Sequence, residues 1–506
     1  MAEAQAPEQA QGSEEFGPPK QRKSLIPTIP HHTHREIRKA YVSTSNRPRW
    51  VLHMQAVFWR TLMSLGMFFH RLAPPQPPKP SFYKTIDTTI SGRPGQITLY
   101  FYVPGDYHTQ KRLWLDPNGD VDPDEEVENR ARRVRQSITG LGDGIRRRRS
   151  VRRWGGYPVI INFHGGGFTL GSPHDDARWC GTVVTECNAV VVSVDYRLAP
   201  ENPFPTAVED GVDAVVWIHN HAEELGINRD KIALSGFSSG GNMAFTVPLR
   251  LHDQQTGFAR NESDLDLSKQ QDGTAEASTL HAKPSISDDR EHTASSSSTE
   301  VTQNPDASTA QLVDPNGPSP EPTPSRPHKT GTTFTQRTFD IPEIKIRCIV
   351  PWYPSLDYTR TREERRATCV RADQELPALF TDLFDDSYLH PPKDVALDSP
   401  YLSPGVAPTE LLRDGLPEEI IMHTCEWDML LDEGEVFYKR LTSDEIGKKV
   451  NYTMIPGVPH GWDKAPNPWK PTPGVREHYL KACKELKRIL GQREVDESAP
   501  RKSIVR

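Results

Sequence analysis

Five short apolar runs constrain this chain more than any other feature of its sequence. They are "YPVIINF" (157–163), "AVVVSVDY" (189–196), "KIALSGFS" (231–238), "IKIRCIVPWYP" (344–354) and "EEIIMHT" (418–424). Near-continuous apolar runs of this length read as strands buried on both faces. The stretches "DDARWCGTVVTEC" (175–187) and "TAVEDGVDAVVWIHNHAEEL" (206–225), lying between them, are helical. Strands alternating with helices predict an α/β fold, with a mostly parallel central sheet and helices on both faces. "QITLYFYV" (96–103) reads as a half-buried strand near the start, and "VNYTMIPG" (450–457) as a last strand before the closing helix "PGVREHYLKACKELKRIL".

The rhythm is interrupted twice. Residues 106–155 run from an acidic stretch into an arginine-rich one that ends in "RRRRSVRR", and read as a long charged insertion. The cluster Arg146 to Arg153 is expected to be a solvated loop, with contact to anionic lipid or exposure of Ser150 to a basophilic kinase as the alternatives. Residues 254–335, with "TASSSSTE" and "DPNGPSPEPTPSRP", cannot bury a core and are expected to be disordered. Such tracts explain a mean hydropathy of −0.65, low for a chain that carries so many buried strands. The predicted organisation is a disordered tail (1–35), an amphipathic segment (36–80), a first core part (81–253), the insertion (254–335), a second core part (336–493) and a tail (494–506).

A net charge of −7 gives no whole-protein case for binding nucleic acid. The six cysteines are scattered without a CxxC, which predicts a reducing, cytoplasmic setting with no disulfide framework and no zinc site. The N-terminus does not read as a secretory signal. "RWVLHMQAVFWRTLMSLGMFFHRL" (Arg49 to Leu72) is apolar over much of its circumference and is broken by Arg60. It reads as one or two amphipathic helices, and two placements stay open: packed over the core as a cap, or lying on a membrane surface.

The chemistry sits at the ends of the strands. "GFSSG" (Gly236 to Gly240) follows a strand and opens a helix, the setting in which G-x-S-x-G holds a strained nucleophilic serine, here Ser238. A serine hydroxyl needs a base, and the base an orienting acid. Asp428 sits just past the strand "EEIIMHT" and is preferred to Asp432, which falls within the next helix. His460, in "PGVPHGWD" after the last strand, is the candidate base; His423 is the poorer choice because it lies inside a strand. The triple glycine of "NFHGGGF" then has a purpose. Attack on an ester builds an oxyanion, and backbone N–H groups stabilise it, each worth roughly 3 kcal/mol of barrier. The N–H of Ser239 and those of the Gly165 to Gly167 loop, Gly165 and Gly166 foremost, are the candidates.

With "HGGGF" (His164 to Phe168), "VDYRLAPENPFPTAVED" (Val194 to Asp210), "GFSSGGN", "EWDMLLDEGE" (Glu426 to Glu435) and "PHGW" (Pro459 to Trp462), the sequence resembles the hormone-sensitive-lipase-like family of α/β hydrolases. The resemblance implies the α/β-hydrolase fold and a serine carboxylic-ester hydrolase with Ser238, Asp428 and His460 as triad. It implies an oxyanion hole at Gly165, Gly166 and Ser239, a small ester as substrate, and no metal or organic cofactor. It also implies a helical cap from residues 36–80 and 356–395, within which Leu379, Phe380, Leu383, Phe384, Trp50, Phe58, Phe68 and Phe69 either line an acyl pocket or pack the cap on the core. Two residues depart from the family's frequent GDSAGG: Phe237 stands where an acid is common, and Ser239 where alanine is. Some members lose a triad residue and act as receptors. All three candidates are present here, so the receptor or scaffold reading is the alternative.

Overall fold

A computed structural model describes residues 47–115, 155–258, 341–391, 395–470 and 472–491. Most of the two insertions, with Arg146 to Arg153 and Ser150, and both tails lie outside the described residues. Eight strands form one sheet: β1 (Phe82–Asp87), β2 (Gln96–Tyr102), β3 (Tyr157–Phe163), β4 (Val190–Asp195), β5 (Ile227–Phe237), β6 (Ile346–Trp352), β7 (Glu419–Trp427) and β8 (Lys449–Pro459). Their order is β1-β2-β4-β3-β5-β6-β7-β8. Pairing is antiparallel for β1 with β2 and β2 with β4, and parallel from β4 onward.

The continuous apolar runs follow from two separate cores. Val159, Ile161, Phe163, Val190, Val192, Ile232 and Leu234 face one; Ile160, Val191, Ala233, Cys348, Val350 and Ile421 face the other. Successive side chains of a strand point to opposite faces, so a strand covered on both sides is apolar at nearly every position, and its few polar residues, such as Asn162 and Ser193, are buried and hydrogen-bonded. Helices α4 (Thr206–Asn220) and α5 (Ser239–Thr256) supply the first core, and α3 (Ala177–Cys187) and α10 (Val475–Ile489) the second. The cysteines are all free, and five of the six are buried.

One helix, α1 (Arg49–Leu72), accounts for most of the amphipathic segment. It packs against α7 (Ala378–Tyr388) of the 356–395 segment, with Trp59 edge-on to Phe380 at 4.7 Å between ring centres. Arg60, the charge that breaks its apolar run, anchors it to the core. Its guanidinium donates to the carbonyls of Thr169 and Ala199 at 2.8 and 2.7 Å and pairs with Glu201 at 2.7 Å. At the other end Arg178 of α3 donates to the carbonyls of His70 and Ala73, at 3.0 and 2.7 Å, where a helix leaves its acceptors unpaired.

The stretch expected to be a charged insertion starts with structure. Tyr107–Leu115 form helix α2, and the buried Tyr107 hydroxyl donates to the Leu225 carbonyl at 2.8 Å. The aromatic anchor was hidden by the charges that follow it.

Candidate active site

The sites singled out in the sequence gather at the carboxyl edge of the sheet. His164 directly follows β3, Ser238 follows β5, Asp428 follows β7 and His460 follows β8. A cavity of about 500 Å³ opens over this edge. A second cavity of similar volume lies at the opposite edge, lined by Ile346 and Glu419 where β6 and β7 begin.

Ser238 makes the turn from β5 to α5 alone, at φ 54° and ψ −114°. That is a left-handed conformation non-glycine residues rarely adopt, and strain of this kind costs about 1–3 kcal/mol that the surroundings must hold. The flanking glycines let the backbones close up. A Cβ on Gly236 would meet the Gly240 carbonyl oxygen at 2.1 Å, and one on Gly240 would meet that of Phe163 at 2.0 Å. Asn242, one turn into α5, donates to the carbonyls of Ser355 and Leu402, both at 2.8 Å, and ties the turn to the loops beyond β6.

His460 stands between the other two candidates. Its Nε2 is 2.8 Å from Ser238 Oγ, and its Nδ1 is 2.6 Å from Asp428 Oδ2. Asp428 is buried, and its other oxygen accepts from the Leu430 N–H at 3.0 Å. Asp432, the rival acid, instead accepts from Arg360 at 2.8 Å, on the first turn of α9 (Leu431–Leu441). His423 is buried within β7, stacked on Trp352 at 3.8 Å, and burial depresses its pKa to about 3.

The glycine loop lines the pocket beside Ser238 through Gly165, Gly166 and Gly167. Gly166 has φ +120°, and a Cβ there would meet the Leu170 carbonyl oxygen at 2.2 Å. A Cβ on Gly167 would strike the Phe384 ring at 2.2 Å. Ser239 begins α5, where first-turn N–H groups have no partner within the helix. His164 steadies the loop from below: its Nδ1 lies 2.8 Å from the Gly165 carbonyl, and its ring stacks on Tyr196 at 4.3 Å. Burial lowers its pKa to about 4, so it is neutral near pH 7.

Beneath the pocket lies a charged cluster that no motif announces. Lys464 pairs with Asp176 at 2.8 Å and Asp463 at 3.0 Å. Burial works against the lysine charge, but the two carboxylates raise its pKa above the ordinary value. Burial likewise opposes the charge on Asp463, yet Lys464 and the hydroxyls of Tyr353 and Tyr479 hold its pKa below the usual range. Tyr353, hydrogen-bonded to Asp463 at 2.5 Å, sets its ring edge-on to His460 at 4.8 Å.

The apolar wall of the pocket differs from expectation. Phe380 and Phe384 line it, together with Trp59, Leu62, Met63 and Met67 of α1. Trp50, Phe58, Phe68 and Phe69 do not; they point to solvent, as does Leu379, while Leu383 is buried away from the cavity. Helical periodicity separates two faces of a segment, but both faces of α1 are apolar, so only docking tells which is inside.

A family model described as alpha/beta hydrolase fold matches residues 160–303 and 332–464. An AB hydrolase superfamily protein of Schizosaccharomyces pombe is 34% identical over 181 residues, 34% of this chain and 53% of the relative. Human hormone-sensitive lipase is 41% identical over 92 residues, 18% of this chain and 9% of the lipase. The matched stretch thus spans about half the length of the first relative and far less of the second. A thermostable esterase from Pseudomonas putida shares the fold, with a TM-score of 0.51 at 20% identity, over 91% of this chain and 97% of that one. The chain belongs to the α/β hydrolases, in their hormone-sensitive-lipase-like family.

Proposed function

We propose that this protein is a serine carboxylic-ester hydrolase acting on esters with an apolar acyl group. The observation that carries the reading is the continuous hydrogen-bonded line Ser238–His460–Asp428, at 2.8 and 2.6 Å, opening onto an apolar cavity.

In this reading Ser238 Oγ attacks the ester carbonyl carbon while His460 Nε2 takes its proton. Asp428 stabilises the imidazolium through Nδ1–H and fixes the tautomer. The carbonyl oxygen becomes an oxyanion held by the N–H groups of Ser239 and of the Gly165–Gly166 turn, already oriented before reaction. The tetrahedral intermediate collapses, and the leaving alcohol takes the proton from His460. Water, deprotonated by His460, then attacks the acyl-Ser238 ester and releases the acid. The acyl chain lies against Trp59, Met63, Phe380 and Phe384, whose apolar surface favours hydrocarbon at about 25 cal/mol per Å².

The test is hydrolysis of p-nitrophenyl esters graded by acyl length, with Ser238→Ala as blank. Hydrolysis by the wild type alone, with kcat/KM rising from acetyl to medium chains, is the expected result. Equal traces from both proteins at every length would sink the reading.

A further inference from the structure

The outer face of α1 is built for a surface other than water. Trp50, Met54, Val57, Phe58, Leu62, Leu65, Phe68, Phe69 and Leu72 are all exposed. At about 100° per residue they fall within one arc of roughly 140°. Thr61 is the polar residue within it. The exposures reach 65% for Trp50 and 60% for Phe58. Amphipathic helices on a soluble core are normally polar on the side facing solvent; this one is apolar there as well as where Leu52, Ala56 and Met67 are buried. A patch of this extent marks a contact.

Charge selects the partner. The helix carries no Asp or Glu; its Arg49 and Arg60 turn inward to Pro200 and Glu201, and Arg71 stands near its end. The sequence leading into it, residues 20–39, contains Lys20, Arg22, Lys23, Arg35, Arg38 and Lys39 against the single acid Glu36. A basic approach followed by an aromatic-rich apolar helix face is the combination that lies in the headgroup region of an anionic bilayer. No helix among the described residues is long and apolar enough to cross one.

The patch is also continuous with the pocket. Leu62 lines the cavity above Ser238 and is still 46% exposed, so the apolar path from the outer face inward is unbroken. We propose that the outer face of α1 docks on the surface of an anionic lipid bilayer, with the pocket mouth turned toward the lipid. The docking stands apart from the hydrolytic reading; only the further consequence, that ester enters from the bilayer, rests on it.

The experiment is co-sedimentation of the full chain with vesicles of phosphatidylcholine alone and with about 30 mol% phosphatidylserine. Phe58→Glu/Phe68→Glu is compared with the wild type, and Met54→Glu, at a position 65% exposed, serves as a second variant in case the first misfolds. Each protein is assayed in parallel on water-soluble p-nitrophenyl acetate. Wild type should sediment with the serine-containing vesicles, and the variants should partition at least about ten-fold less while hydrolysing the soluble ester within about two-fold of wild type. Three results would overturn the proposal: wild type left in the supernatant with both vesicles, variants that bind as well as wild type, or a light-scattering dimer of the wild type that the variants lose, which would assign the face to a second copy. A protein that binds vesicles but hydrolyses nothing would leave the docking standing and remove the esterase reading alone.

Discussion

The ammonium of Lys464 lies 3.8 Å from the centre of the Phe237 ring, directly beside the turn that carries Ser238. The ring gives the cation an apolar seat while Asp176 and Asp463 take its charge. Phe237 in turn stacks on Trp352 at 5.6 Å and meets Trp179 edge-on at 6.4 Å. Lys464→Met should leave two buried carboxylates without a counter-charge and cost about 3–5 kcal/mol. Phe237→Ala should cost a similar amount, about 3–5 kcal/mol, through the cavity left among the aromatics. Urea denaturation of both variants checks this, and a loss below about 1 kcal/mol in either would contradict it.

The three residues in line should respond unequally. Ser238→Ala and His460→Ala are each expected to lower kcat by about 10⁶-fold. Asp428→Asn should lower it by about 10⁴-fold, since the imidazole would then hold the wrong tautomer. Asp432→Asn should stay within about ten-fold of wild type, because Asp432 serves Arg360 and not His460. Steady-state kinetics of the four variants on one p-nitrophenyl ester separates the two acids; a larger loss at Asp432 would reverse their assignment.

Arg60 holds the pocket wall in place. Without it α1 loses its links to Thr169 and Ala199 and keeps the contacts of Arg49 and His53 with Glu201, so that Trp59 and Met63 are held less firmly over the cavity. Arg60→Ala should raise KM for medium-chain esters by about ten-fold, equivalent to about 1.4 kcal/mol, with kcat on the acetate changed much less. Equal effects on both substrates would mean that Arg60 supports the site as a whole.

His423 and His164 make the fold acid-sensitive. Burial depresses both, to about 3 and about 4. The unfolded chain, with histidines near 6.5, therefore binds more protons between those values, and stability contributed by keeping the rings neutral is lost as pH falls from about 6.5. The buried carboxylates oppose this. Burial raises Glu433 to about 7 and Asp210 to about 6, so each favours folding more as pH falls through that range. His423→Phe keeps a ring against Trp352 and removes one titration. Relative to wild type it should gain about 2–3 kcal/mol between pH 7 and pH 4.5 by denaturant unfolding; parallel pH profiles would show that His423 does not contribute.

The strands were legible from local pattern because a strand buried on both faces writes itself as a near-continuous apolar run, as "YPVIINF" does for Tyr157–Phe163. Ser238, Asp428 and His460 stood out because each lies at or within a few residues of the end of a strand-like run, and the turn chemistry of glycine flanks is equally local. Helix α2 was missed because Tyr107 was read together with the charges after it.

The sequence by itself determined which runs form the central strands and which polar side chains stand near their carboxyl ends, since these depend on neighbours along the chain. Only the tertiary structure decided that Trp59 and Met63 face the pocket while Phe58 and Phe68 face outward, that Arg60 is an anchor, and that Lys464 shares its charge with Asp176. The face a doubly apolar helix buries, and the partner a buried charge finds, are fixed by packing between segments hundreds of residues apart, where burying apolar surface and pairing charge outweigh any local preference.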